Sequence, residues 1–231
     1  MEDGGTFDYF DKIFCINLDS RPDRWEQVQT EFDKVGILGR VERISATTKE
    51  QIPYHPGGGT ATKANGRVYD LANAFATSLS HHRCLIRSME SNASNYLVFE
   101  DDVYFENYDE EYLKQSLVEL PTDWEMFMMG YNNWNRTKCE DFSSNLYKVD
   151  AFGLTHAYSV NNVFFERYKS EFENRVSCGR TTKKRQFKRI DFFLSWVCRE
   201  IFLVKDKFAF QEEGISNIYG DGNLFIDREM R

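Results

Sequence analysis

Apolar residues recur along this chain in short strand-like runs and in stripes of helical spacing, and the two kinds alternate. Lys12-Ile-Phe-Cys-Ile-Asn-Leu18 reads as a first buried strand. The turn Asp19-Ser20-Arg21-Pro22-Asp23-Arg24 follows, with Ser20 or Asp19 as the expected N-cap and Pro22 near the first helical position. Trp25, Val28, Phe32 and Val35 then lie three or four residues apart, predicting an amphipathic helix that Gly36 ends. Val41 to Ser45 reads as a second strand. Strand, helix, strand is the opening of a doubly wound α/β sheet, in which ligands sit beyond the carboxyl ends of the strands. Residues 53–67, with Pro53, Pro56, Gly57-Gly58-Gly59 and Gly66, predict a loop, either a lid or a plain surface connection. Further helices are expected near 70–91, 109–120 and 162–175, and further strands near 96–99, 125–129, 146–149 and 155–160. A last helix should carry Ile190, Phe193, Leu194, Val197 and Ile201 on one face. No internal repeat interrupts this series, and we expect one domain over residues 1–231.

Composition narrows the functional classes. With 36 aromatic residues (20 Phe, 12 Tyr and 4 Trp) and few prolines, the chain has ample material for a core. A formal charge of −8 argues against a nucleic-acid binder, whose footprint is basic. Five scattered cysteines without C-x-x-C spacing predict reduced structural thiols rather than disulfides or a zinc site. The acidic, polar N-terminus shows no leader sequence and no apolar run long enough to span a membrane, so the expected compartment is the cytoplasm.

The densest chemistry lies in Asn95-Tyr-Leu-Val-Phe-Glu-Asp-Asp-Val103, where an apolar strand runs into three carboxylates. Burying carboxylates at a sheet edge is costly unless they are paired or bound to a cation. Strand alternation would put Glu100 and Asp102 on one side, roughly 7 Å apart at about 3.3 Å per residue. Such a pair is a hard oxygen site suited to Mg²⁺ or Mn²⁺. Three adjacent acids fit a solvated turn equally well. Arg21 and Arg24 stand where a nucleotide or its phosphates would lie, though they could equally be solvated helix charges. Asp191, at the start of the last helix, suits either the helix dipole or a general base. His81 and His156 are two of four histidines; a single helical His is more often a satisfied core group than a ligand. Six basic residues within 180–189 form either a solvated loop or cations that close over a diphosphate.

Phe14-Cys-Ile-Asn-Leu-Asp-Ser-Arg-Pro-Asp-Arg-Trp25, Ser80-His81, Leu97-Val-Phe-Glu-Asp-Asp-Val103 and Thr155-His-Ala-Tyr158 occur in an order that resembles glycosyltransferase family 25. Ile190-Asp-Phe-Phe-Leu194 and Gln211-Glu-Glu-Gly-Ile-Ser216 also fit, so the resemblance spans about residues 12–218. It implies a GT-A-like fold, a doubly wound, Rossmann-like mixed sheet with helices on both faces. It also implies a UDP-sugar donor, usually UDP-galactose, a Mn²⁺ or Mg²⁺ ion on a DxD-like motif, and inversion at the transferred carbon. Carried across, Asp102 is the main metal ligand, assisted by Glu100, with Asp101 in the same acidic motif. Asn17, Leu18, Arg21 and Arg24 line the nucleotide end, and Ser80 and His81 lie near the donor sugar or diphosphate. Thr155 and His156 lie at the donor–acceptor junction, Asp191 is the base, and Gln211 and Ser216 complete the metal or diphosphate site. The acceptor would be a glycan, a lipid-linked oligosaccharide or hydroxylysine. The sequence departs from the family at Ala76-Thr77, where bacterial relatives commonly have Gly-Cys, and at Leu154, where many have Gly.

Two other readings compete. A glycoside hydrolase also uses two carboxylates, but these must flank the sugar from opposite sides, and the arginines would go unused. A degenerate transferase serving as a binding module would need no turnover, although the acids and Asp191 are all retained.

Overall fold

The computed structural model describes residues 5–52, 60–62, 68–132, 138–179, 189–212, 214–215 and 224–225. Most of the 53–67 loop, most of the 180–189 basic run and Ser216 lie outside them. In chain order the elements are β1 (Lys12–Asn17), α1 (Pro22–Lys34), β2 (Val41–Ser45), β3 (Thr60–Thr62), β4 (Val68–Asp70), α2 (Leu71–Glu90), β5 (Asn95–Glu100), β6 (Val103–Phe105) and α3 (Glu110–Val118). There follow β7 (Met126–Asn132), β8 (Cys139–Asp141), β9 (Leu146–Val149), β10 (Gly153–Asn161), α4 (Phe165–Gly179), α5 (Ile190–Val197), β11 (Ile201–Val204), β12 (Ala209–Gln211), β13 (Gly214–Ile215) and β14 (Leu224–Phe225).

Eight strands form one sheet in the order β2-β1-β5-β10-β7-β11-β9-β8. β2, β1 and β5 are mutually parallel, β10 runs against both β5 and β7, and β11 returns to the direction of β7. Strand residues alternate between faces, so adjacent residues of β5 show what covers each side. The ring of Phe99 meets Phe32 of α1 at 5.3 Å, while Glu100 turns the other way, towards His81 of α2. Helices therefore cover both faces, which is why β1 and β5 read as nearly continuous apolar runs. This is the doubly wound mixed sheet with helices on both faces that the sequence led us to expect.

Local chemistry explains the ends of α1. Gly36 adopts φ +73°, its N–H reaches the Asp33 carbonyl at 3.1 Å, and the Ile37 N–H reaches the Phe32 carbonyl at 2.9 Å. This pair of bonds satisfies the last carbonyls of the helix. The N-terminus differs from expectation. Pro22 is the first helical residue, but Arg21 occupies the cap with no side-chain cap bond. Asp19 is drawn away to Ser45 Oγ (2.6 Å) and Arg43 (3.1 Å). The 190–201 helix is also shorter than its apolar spacing predicts. Cys198 turns extended (ψ 144°), and Ile201 begins β11 instead.

A two-stranded ribbon, β6 with β12, lies beside the carboxyl end of β5 and pairs Gln211 with Val103. The next residue, Glu212, donates its N–H to the Asp102 carbonyl at 2.7 Å. Among the described residues, no helix is long and apolar enough to cross a membrane.

Candidate functional site

Beyond the carboxyl ends of β1 and β5 lies a cavity of about 300 Å³. Leu18, Arg21 and Arg24 line its α1 side, Glu100, Asp101, Asp102 and Gln211 its acidic end, and Ser80 and His81 its α2 wall. Nine of the residues singled out from sequence thus share one opening. Ala76 and Thr77 also border it, as do Asn73, Thr47, Thr48 and Glu50, which were not assigned there from sequence. Asn73, Thr77 and Ser80 follow helical spacing, so a small polar stripe on α2 was the signal available. The walls at 47–50 come from a connection whose place depends on long-range contacts.

The three acids do different things because β5 ends at Glu100 and the chain turns at Asp101 and Asp102. The expected alternation therefore does not extend to Asp102, although both Glu100 and Asp102 face the cavity. Asp101 has both oxygens engaged. Asn17 Nδ2 donates at 2.7 Å and Arg24 Nη1 at 3.0 Å, so Asp101 ties β1, β5 and α1 together. Asn17 is itself buried and also holds the Arg21 carbonyl (3.0 Å) and Arg43 (2.9 Å). It acts behind the cavity rather than in it.

Asp102 Oδ2 accepts from Gln211 Nε2 at 2.9 Å and lies 3.5 Å from Arg24 Nη1. Its Oδ1 is enclosed and has no hydrogen-bond partner among the described residues, and the same holds for Gln211 Oε1. Burial, reinforced by the negative charge of Glu100, pushes the Asp102 carboxyl up to about 7 against the pull of Arg24. Glu100 shifts the other way. Burial acts to raise it, but His81 and Thr155 outweigh burial and hold it below the ordinary carboxylate range. Thr155 Oγ1 donates to Glu100 Oε1 at 2.7 Å, and His81 Nε2 approaches the same oxygen at 3.3 Å without hydrogen-bond alignment.

Other sequence-selected residues serve from further back. Ser80 Oγ accepts the Thr47 N–H at 2.8 Å and donates to the Ala76 carbonyl at 3.0 Å, pinning the 46–48 wall to α2. His81 is wholly buried, with Nδ1 2.8 Å from Tyr158 OH. His156 is buried beside the Ala209 carbonyl (3.1 Å) and does not border the cavity, nor does Thr155. Arg21 pairs with exposed Asp23, whose carboxyl it holds down at about 2. Asp191 is buried in the first turn of α5, where Arg189 and the Phe192 N–H (2.9 Å) hold its carboxylate. It does not border the cavity, although α5 packs on α2 and β10, which carry Ser80, His81 and Thr155.

A family model described as glycosyltransferase family 25 (LPS biosynthesis protein) matches residues 10–184. The chain belongs to glycosyltransferase family 25. One curated relative, "Probable inactive glycosyltransferase 25 family member 3" of Bos taurus, is 26% identical over 135 residues. That match covers 54% of this chain and 22% of the cattle protein, so the chain spans under a quarter of that relative. Two solved structures show partial likeness. A glycosyltransferase involved in glycosylation of the major capsid of PBCV-1 has a TM-score of 0.46 at 11% identity, over 87% of this chain and 92% of the other. A UDP-glucose pyrophosphorylase complexed with UDP-glucose has a TM-score of 0.44 at 10% identity, over 85% and 74%.

Within this family-25 chain, the departures noted from sequence fall at informative places. Ala76 and Thr77 both border the cavity, so the missing Gly-Cys alters the wall itself. Leu154 sits at φ +67° beside a register shift in β10. A side chain there is strained by about 1–2 kcal/mol, which glycine would avoid. A divalent cation fits the acidic corner in one respect, because two enclosed oxygens, Asp102 Oδ1 and Gln211 Oε1, lack partners. Among the described residues, no group of three or more His, Cys, Asp or Glu side chains is arranged to hold a metal by itself. Mg²⁺-like sites commonly use one or two protein oxygens and take the rest from phosphates and water.

Proposed function

We propose that this chain is an active, cation-dependent, inverting glycosyltransferase. It moves a hexose, galactose by family analogy, from a UDP-sugar to a hydroxyl of a glycan, lipid-linked oligosaccharide or hydroxylysine acceptor. The observation that carries the reading is the pair of unpartnered oxygens on Asp102 and Gln211, enclosed at one end of a cavity that Arg21 and Arg24 also border. Buried acceptors without donors are costly, and an unfilled pair at a cavity is how a ligand site looks from the protein side.

Asp102 and Gln211 would hold Mn²⁺ or Mg²⁺, with Glu100 beside them. The ion's chemistry there is Lewis-acid neutralisation of the leaving diphosphate. Arg24 and Arg21 add fixed positive charge on the α1 side of the same opening. Leu18 gives the nucleotide an apolar contact. Asp191 is assigned by family analogy to take the acceptor hydroxyl's proton as that oxygen attacks; because Arg189 holds it outside the cavity, the acceptor would have to reach it from the α5 side. Attack from the side opposite the diphosphate forms one C–O bond as the other breaks, inverting the sugar carbon. Membership of a transferase family sets the hydrolase alternative aside.

The test is Mn²⁺-dependent release of UDP from UDP-galactose and other UDP-hexoses by the purified chain, with Asp102→Asn and Asp191→Asn alongside. Release that ignores Mn²⁺ and both substitutions would sink the reading. A second reading, a binding module without turnover, draws support from the cattle relative's description as probably inactive. UDP binding without any release from a full set of sugars and acceptors would favour it.

A further inference from the structure

His81 is wholly buried, yet it belongs to the wall of the cavity and spans two polar side chains. On one side Tyr158 OH lies 2.8 Å from Nδ1. On the other, Nε2 has no hydrogen bond among the described residues and faces Glu100 Oε1 at 3.3 Å. A tyrosine hydroxyl donating to Nδ1 leaves the ring proton on Nε2, where the carboxylate is the nearby acceptor. Thr155 donates to that same oxygen at 2.7 Å. Both protein donors therefore converge on Oε1. Among the described residues the contacts to Glu100 fall on Oε1 and none on Oε2, and Glu100 is the part of this chain of contacts that opens to the cavity.

We propose that His81 is a positioning residue: held by Tyr158 and acting with Thr155, it fixes the Glu100 carboxylate so that Oε2 alone accepts one hydroxyl of the nucleotide-sugar donor. This rests on the donor reading above and deepens it. It separates two jobs at the acidic end, since Glu100 reads a hydroxyl while Asp102 and Gln211 face the cation. An unpaired buried N–H is costly, so the Nε2 proton favours keeping Glu100 Oε1 beside it. The donor's hydroxyl is then read by an acceptor already turned to meet it, and a donor lacking that hydroxyl leaves Oε2 without a partner.

The experiment is calorimetric titration of UDP-galactose and a set of its single-deoxy analogues, with Mn²⁺ present. The proteins are wild type, His81→Phe, His81→Gln and Tyr158→Phe. Wild type should lose about tenfold in affinity for one analogue and little for the rest, the size expected of one hydrogen bond to a charged group. His81→Phe keeps a ring in the space and should erase that preference, bringing the analogue within about twofold of the parent. His81→Gln, whose amide can donate to Glu100, should restore part of it, and Tyr158→Phe should weaken it. Mn²⁺ affinity, read by paramagnetic resonance, should stay within about twofold in His81→Phe, whereas general damage to the site would lower it. Equal affinity for all analogues in wild type, or full preference kept in His81→Phe, overturns the inference while the donor reading stands. If no UDP-sugar binds wild type, the donor reading falls and this inference falls with it.

Discussion

Asp102 and Gln211, 109 residues apart, meet side chain to side chain at 2.9 Å, and each keeps one oxygen unbonded in the same enclosed corner. Mn²⁺ with UDP should therefore stabilise the fold by about 2.7 kcal/mol at ligand one hundredfold above its dissociation constant. Asp102→Asn should remove most of that gain in a thermal-shift assay. An undiminished shift in the Asn variant would mean the cation binds elsewhere.

Arg24 neutralises two acids at once, 3.0 Å from Asp101 and 3.5 Å from Asp102, and all three side chains are at most 15% exposed. Arg24→Ala leaves those carboxylates facing each other and should cost about 2–3 kcal/mol in urea denaturation, just below the range for fully buried pairs. Added Mn²⁺ should recover part of the loss, because it restores positive charge at the same acids.

Gly130 faces His156. A Cβ there would fall 2.2 Å from His156 Nε2 and 2.5 Å from the Ala209 carbonyl, and neither the packed ring nor the β12 backbone can easily give way. Gly130→Ala should destabilise the protein by about 2–3 kcal/mol. It should also weaken UDP–Mn²⁺ binding, since Ala209 begins the strand that carries Gln211. Wild-type stability in this variant would show that the ring and β12 move freely.

His82 stacks on Phe172 with ring centroids 4.3 Å apart, and burial lowers its pKa from the usual 6.5 to about 4, with Lys169 adding and Glu173 opposing. The unfolded chain takes up this proton more readily than the native one, so stability is lost as pH falls from about 6.5 towards 4. Relative to wild type, His82→Gln should show a smaller drop in urea midpoint between pH 7.5 and 4.5. An identical drop would place the titration elsewhere.

The fold was legible where one period dominated. The α1 stripe with its terminal glycine and the apolar runs of β1 and β5 fixed three elements that frame the cavity. Ile201 was read on a helix because it continues the spacing of Ile190, Phe193, Leu194 and Val197; four consecutive apolar residues, Ile201–Val204, fit either period, and pairing with β7 decided for a strand. The acids were visible in the sequence, but their division of labour was not. Asp101 is occupied by Asn17 and Arg24, Ser80 supports Thr47, and Glu100 is met by Thr155 and His81, all through contacts that span 33 or more residues except the link from Glu100 to His81. Such partnerships follow from how α2 and β10 flank β5, which no local pattern encodes.

The ribbon of β6 and β12 gives the corner a timetable. Ribosomal synthesis delivers the acids at 100–102 well before Gln211, so an emerging chain has its carboxylates in place but lacks their last companion. On the donor reading proposed above, capture should therefore begin only after the polypeptide has grown past Glu212, whose amide fastens the ribbon to Asp102.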